Sequence, residues 1–107
     1  MLMKESEDVV GIQMVIELSD RQGAQAVIHA LESYKTRLRA SIERTQRRLT
    51  EFERRYGVTT MHFLNKMTAE DLAGGDLEYV EWAGEAIILD GIERELKELE
   101  NARYQLP

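Results

Sequence analysis

The sequence predicts a mainly α protein. A long helix, a short helical segment and a long C-terminal helix form a hairpin or bundle, and an N-terminal β-strand pairs across a dimer. Three observations predict this. Apolar residues recur at alternating steps of three and four through two long stretches, the spacing of one helix face. The single proline is the last of the 107 residues, so nothing interrupts a long element. Between the two stretches, residues 52–85 hold Phe52, Tyr56, Phe63, Tyr79 and Trp82, five of the seven aromatic residues, together with the clearest stop and start signals in the chain.

Size and charge bound the rest. A chain of 107 residues suits one domain with a thin core. Charged residues make up 32% and the net charge is −6, a poor match to nucleic-acid phosphates. There is no cysteine, which removes disulfides and thiolate chemistry. No apolar run reaches the roughly 18 residues of a membrane span, and the start MLMKESEDVV lacks the basic and apolar regions of a signal peptide. A cytoplasmic protein is expected, with no membrane and no cofactor.

In chain order, residues 1–8 are polar, acidic and without periodicity, as a frayed tail is. Residues 9–18 alternate apolar positions (Val10, Ile12, Met14, Ile16, Leu18) with Gly11, Gln13, Val15 and Glu17. Period two favours a strand over a helix start. A lone strand needs a partner, and with no convincing second strand in the sequence the partner would be a second copy or another protein.

Ser19-Asp20-Arg21-Gln22 fits a capping box, opening a helix over residues 19–56. Its seam is Ala24, Ile28, Leu31, Lys35, Leu38, Ile42, Thr45, Leu49, Phe52, Tyr56, a heptad pattern with polar interruptions at Lys35 and Thr45. Such a helix, on the order of 50 Å long, must pair along its length. Tyr56-Gly57 reads as a left-handed C-terminal cap, with Arg54 and Arg55 placed well against the dipole. Thr59 or Thr60 caps a short segment over residues 60–73 carrying Met61, Phe63, Leu64 and Met67. Thr68 opens a further turn, Gly74-Gly75 breaks it, and Asp76 caps the last helix, residues 77–103. There Leu89, Ile92, Leu96, Leu99 and Leu106 keep heptad spacing, with Trp82 one heptad before Leu89 and Arg103 filling one step. Gly84 and Gly91, seven apart, would let another helix approach closely.

Charge is segregated. Residues 32–55 carry a net +4 and residues 57–107 a net −7. A basic long helix and an acidic last helix favour antiparallel pairing, within the chain or across a dimer, and select register more than they stabilise.

Four groups are candidates for chemistry. Glu78, Glu81 and Glu85 can share a helix face, but no second helix completes a four-carboxylate metal site, so a solvated acidic face is the plain alternative. Six residues stand between Arg55 and His62, as in the arginine–histidine motif of helical HEPN-type ribonucleases, but Gly57 and a turn separate them here; His62 reads as a surface or capping residue. Arg37, Arg44, Arg48 and Arg55 lie near one face and could contact RNA or DNA, although no aromatic residues are interleaved for stacking. Phe52 and Phe63 read as core, and Trp82 as core or as a hot spot for a partner. No catalytic arrangement or phosphate loop is suggested.

The order IELSDRQ, a charged helix ending EFERRYG, then GGDLEYVEWAGE resembles short antitoxin-like proteins of bacterial and archaeal toxin–antitoxin pairs. The residues that carry the resemblance are Phe52, Tyr56, Gly57, Gly75, Asp76, Glu81, Trp82 and Ala83, within roughly residues 14–100. It implies binding without catalysis. Taken with the residues, the reading is a homodimer that neutralises a protein partner, a cognate toxin, by masking its basic surface with the acidic last helix (Glu78, Glu81, Trp82 and Glu85) and the N-terminal strand. A structural helical oligomer and a nucleic-acid-binding regulator using the arginine stripe are the other readings. Antitoxins often bind operator DNA, but the outward residues of a 9–18 strand would include no basic group.

Overall fold

The structure, a computed structural model, describes residues 14–17 and 20–105. The chain is mainly α. Strand β1 (Val15–Glu17) leads into helix α1 (Arg21–Tyr56), a short helix α2 (Thr60–Lys66), a 3-10 turn (Ala69–Asp71), helix α3 (Gly75–Glu100) and strand β2 (Arg103–Gln105). Helices α1 and α3 pack as an antiparallel hairpin, and α2 with the 3-10 turn fills the corner where the chain reverses.

The heptad seam is the face α1 buries. Ala24, Lys35, Leu38, Thr45 and Phe52 are buried, and Ile28, Leu31, Ile42, Leu49 and Tyr56 are half-buried between them. The polar interruptions sit inside as well. Lys35 keeps its ammonium paired with Glu32 at 2.8 Å, its stem covering apolar surface. On α3 the inward residues are Trp82, Leu89, Ile92, Leu96 and Leu99, so the expected seam continues to the end of that helix. Residue 106 lies outside the described residues.

The ends follow local chemistry, with two shifts from the expected caps, at the starts of α1 and α3. Asp20 caps α1, accepting the Gly23 N–H at 2.7 Å, and Ser19 lies outside the described residues. Gly57 ends α1 in the left-handed region at φ 68°, its N–H donating to the Glu53 carbonyl at 2.7 Å. Thr59 caps α2 through the His62 N–H. The expected 60–73 segment divides because Thr68 is extended and starts a separate turn, its N–H donating to Asp71 Oδ2 at 2.8 Å. Gly74, not Asp76, precedes α3, and Gly75 takes φ 65°. Asp76 lies in the first turn, where a carboxylate still favours the dipole.

Helix α3 ends at Glu100, short of the expected residue 103, and residues 103–105 form β2, parallel to β1, with Val15 opposite Arg103, Ile16 opposite Tyr104 and Glu17 opposite Gln105. The expected strand is thus present over Val15–Glu17, and its partner is in the same chain rather than in a second copy. The antiparallel hairpin returns the end of α3 beside the start of α1, which places two strands side by side without a local turn. The tail at 1–8 and the strand positions 9–13 and 18 lie outside the described residues.

Candidate functional site

The residues singled out from the sequence converge on the corner of the hairpin, and most turn inward. Trp82 is fully buried. Its indole is stacked between Phe63, centroids 3.9 Å apart and planes at 2°, and Phe52, at 5.1 Å and 8°. Tyr56 also stacks on it at 5.6 Å, and the Trp82 Nε1–H donates to Thr60 Oγ1 at 3.0 Å. Leu72 closes the cluster. Trp82 is therefore core and is not presented to a partner, which corrects its assignment as a binding residue. The four aromatics come from three helices because the left-handed turn at Gly57 folds α2 back over the α1–α3 junction.

Glu78 is buried beside this cluster. Its carboxylate accepts from the Tyr56 hydroxyl, from the Gly74 N–H at 3.0 Å and from Arg55 Nη1 at 2.6 Å. The Tyr56 oxygen in turn accepts the Ala73 N–H at 3.0 Å. The tyrosine hydrogen bond, with help from the Gly74 N–H and the Arg55 charge, outweighs desolvation and holds the Glu78 carboxyl below its ordinary range. Glu78 thus ties the start of α3 to the end of α1. It also explains Gly74: a Cβ there would come within 2.8 Å of the Glu78 side chain.

One heptad along both helices, Arg48 faces Glu85 at 4.0 Å. Near the open end, Arg39 meets Glu100 at 3.2 Å and the Tyr34 hydroxyl donates to Glu95, which raises the Tyr34 pKa, chiefly through that hydrogen bond. The acidic face and the arginine stripe, read from sequence as separate binding surfaces, are to this extent two sides of one intramolecular seam. Arg48, Arg55, Glu78 and Glu81 line a shallow groove of about 310 Å³ with Glu51 and Phe52. Of the three candidate carboxylates, Glu81 alone is exposed. Of the four arginines, Arg37 and Arg44 hold no carboxylate among the described residues: Arg37 lies 5.7 Å from the Tyr34 ring and Arg44 donates to Ser41.

His62 is exposed on α2. Among the described residues no three His, Asp or Glu side chains gather as a metal site, and no helix is long and apolar enough to cross a membrane.

A feature the sequence reading missed lies on the outer side of α3. Leu77, Val80, Ile87 and Ile88 are 71%, 65%, 71% and 51% exposed. The signal was present as a second three–four repeat (77, 80, 84, 87, 91) running beside the core seam. Gly84 and Gly91 belong to this outer repeat, and a Cβ on either would meet nothing within 4 Å, so the close approach expected at these glycines is not made by another part of the described chain.

No family model, curated protein or solved structure matches this chain.

Proposed function

We propose that this chain is a non-enzymatic protein-binding module that works as a homodimer and neutralises a protein partner, a cognate toxin on the resemblance noted above, by masking its basic surface. The observation that carries the homodimer part of this reading is the outer face of α3, where four large apolar side chains stand in water on one helix. An apolar patch of that kind on a small chain is the mark of a protein contact. The choice of a basic partner rests on charge. Helix α3 carries nine acidic and two basic residues. Although α1 engages Glu78, Glu85, Glu95 and Glu100, Asp76, Glu81, Glu93 and Glu98 are exposed and hold no basic group among the described residues. A basic protein surface is the complement of such a rim, and steering by it acts on association rate and selectivity.

The experiment is a pull-down of the tagged protein from its native host, with the bound species identified by mass spectrometry and nucleic acid read by absorbance ratio. A small basic protein in near-equal amount, released by salt and weakened by Glu81→Lys with Glu93→Lys, is the expected result. Recovery of this chain alone would leave a structural helical oligomer as the function. Recovery with nucleic acid, lost on Arg37→Ala with Arg44→Ala, would turn the reading to a nucleic-acid regulator.

A further inference from the structure

The outer face of α3 specifies its occupant. We propose that it is a seam for a second copy of this chain, the two α3 helices crossing antiparallel about a two-fold axis at Gly84. This rests on the homodimer reading above and is separable from capture of a toxin.

The first argument is periodicity. Leu77, Val80, Gly84, Ile87 and Gly91 follow steps of 3, 4, 3 and 4, with Ile88 at their edge. The stripe runs about 21 Å along the helix and bears no charge before Arg94. The opposite face of α3 is already buried on α1, and a helix apolar on two faces is one covered on both.

The second argument is size matching. Under a two-fold at Gly84, positions about equally far before and after it come to the same height, and those on one edge of the stripe or at its midline meet. Leu77 then meets Gly91 of the second copy near the midline, Val80 meets Ile87 on their shared edge, and Gly84 meets itself. Large side chains face glycines or medium ones, and the backbones come closest at the axis. The single chain gives no reason for either glycine, since a Cβ at Gly84 or Gly91 meets open space. Yet each weakens the helix by about 1 kcal/mol relative to alanine.

The third argument is charge. Asp76 and Arg94 lie on the same edge of the stripe, eight residues before and ten after Gly84. An antiparallel two-fold brings like edges together, so Asp76 of each copy faces Arg94 of the other. Both are exposed, and among the described residues Arg94 holds only Asp90 of its own helix, at 2.9 Å.

The area is sufficient. The four large side chains leave on the order of 500 Å² of apolar surface per chain, at the upper end for a lone monomer. Two copies together would bury roughly 1,000 Å², the threshold of a specific interface.

Sedimentation equilibrium of the full chain at micromolar concentration tests this, with circular dichroism confirming the fold of each variant. The wild type is expected at twice the chain mass. Gly84→Leu fills space that is open in the single chain, so it should keep the helix and weaken the dimer by roughly a hundredfold. Ile87→Glu should do the same by a different route. Arg94→Asp should weaken the dimer, and adding Asp76→Arg should restore it, which a parallel or offset pairing would not allow. A wild type that is monomeric throughout would overturn the proposal, and so would a dimer that survives Gly84→Leu and Ile87→Glu, or one that the charge swap fails to restore. Toxin capture is read separately, from the bound species in the pull-down, so loss of either result leaves the other standing.

Discussion

Arg55 reaches Glu78 at 2.6 Å, and one heptad further along both helices Arg48 stands opposite Glu85. The register of the hairpin is written in this repeat. Exposed pairs contribute little individually. The Arg55 pair differs because Glu78 is buried and accepts two further hydrogen bonds, from Tyr56 and Gly74. It therefore couples three events that must coincide: the end of α1, the turn at residues 72–74 and the start of α3.

Glu78→Gln should lower the melting temperature more than Glu81→Gln, which removes an exposed carboxylate. It should also change the acid limb of stability. The folded state holds the Glu78 carboxyl below its ordinary value of 4.5, so the unfolded chain binds the extra proton as pH falls. The contribution is fully present above the unfolded value and is lost as pH drops through the folded one. Urea titrations between pH 6 and pH 3 should give the wild type a steeper loss than Glu78→Gln. Parallel curves would show that Glu78 ionisation is not coupled to folding.

Trp82→Ala should destabilise by about 3–5 kcal/mol, the usual result of truncating a buried large aromatic, and for a chain of this size that can abolish the fold. Trp82→Phe keeps most of the stack and loses the hydrogen bond to Thr60, so about 1 kcal/mol is expected. Thr60→Val should lose a similar amount, and the two changes together little more than either alone, because they remove one shared contact. Denaturant midpoints of the four proteins decide this.

Gly57→Ala should cost roughly 1–2 kcal/mol. The space an added Cβ would enter is open, so the whole effect comes from forcing a side chain into the left-handed region at φ 68°. Gly57→Asn should recover part of it, since Asn tolerates that region best among the other residues. Thermal melts of the two variants separate a backbone effect from a packing one.

The long-range plan was legible because it depends on spacing. The ten seam positions of α1 were read as one face and are one face, since steps of three and four leave a helix no other way to bury them. Charge segregation also fixed the antiparallel sense correctly. Geometry across the corner was not legible. Spacing alone places Glu78 and Glu85 on a helix but cannot say that α1 returns its arginines to them, nor that Trp82 rotates inward while Leu77 and Val80 rotate out. The strand partner was missed for a related reason. Arg103–Gln105 is only three residues long, too short for alternation to register, and it becomes a partner for β1 only after the hairpin brings the two ends together.

The buried side chain of Lys35 gives a last prediction, opposite in sign to the others. Lys35 occupies a seam position that a heptad would fill with an apolar side chain, and its charge is held by Glu32 at 2.8 Å from the helix surface. That hydrogen bond is the main cause of the lowered Glu32 pKa. Taking an ammonium out of water is costly, and one exposed carboxylate offsets only part of it. Lys35→Met keeps the length of the stem and removes the charge. It should raise stability by about 1 kcal/mol, a few degrees in melting temperature, while the Glu32 carboxyl returns toward its ordinary range. A polar residue at one seam position also penalises shifted pairings, so the same variant should show a less unique register, visible as weaker amide-exchange protection along α3 despite the higher melting temperature. A lower melting temperature would mean that the Lys35–Glu32 pair stabilises the hairpin outright.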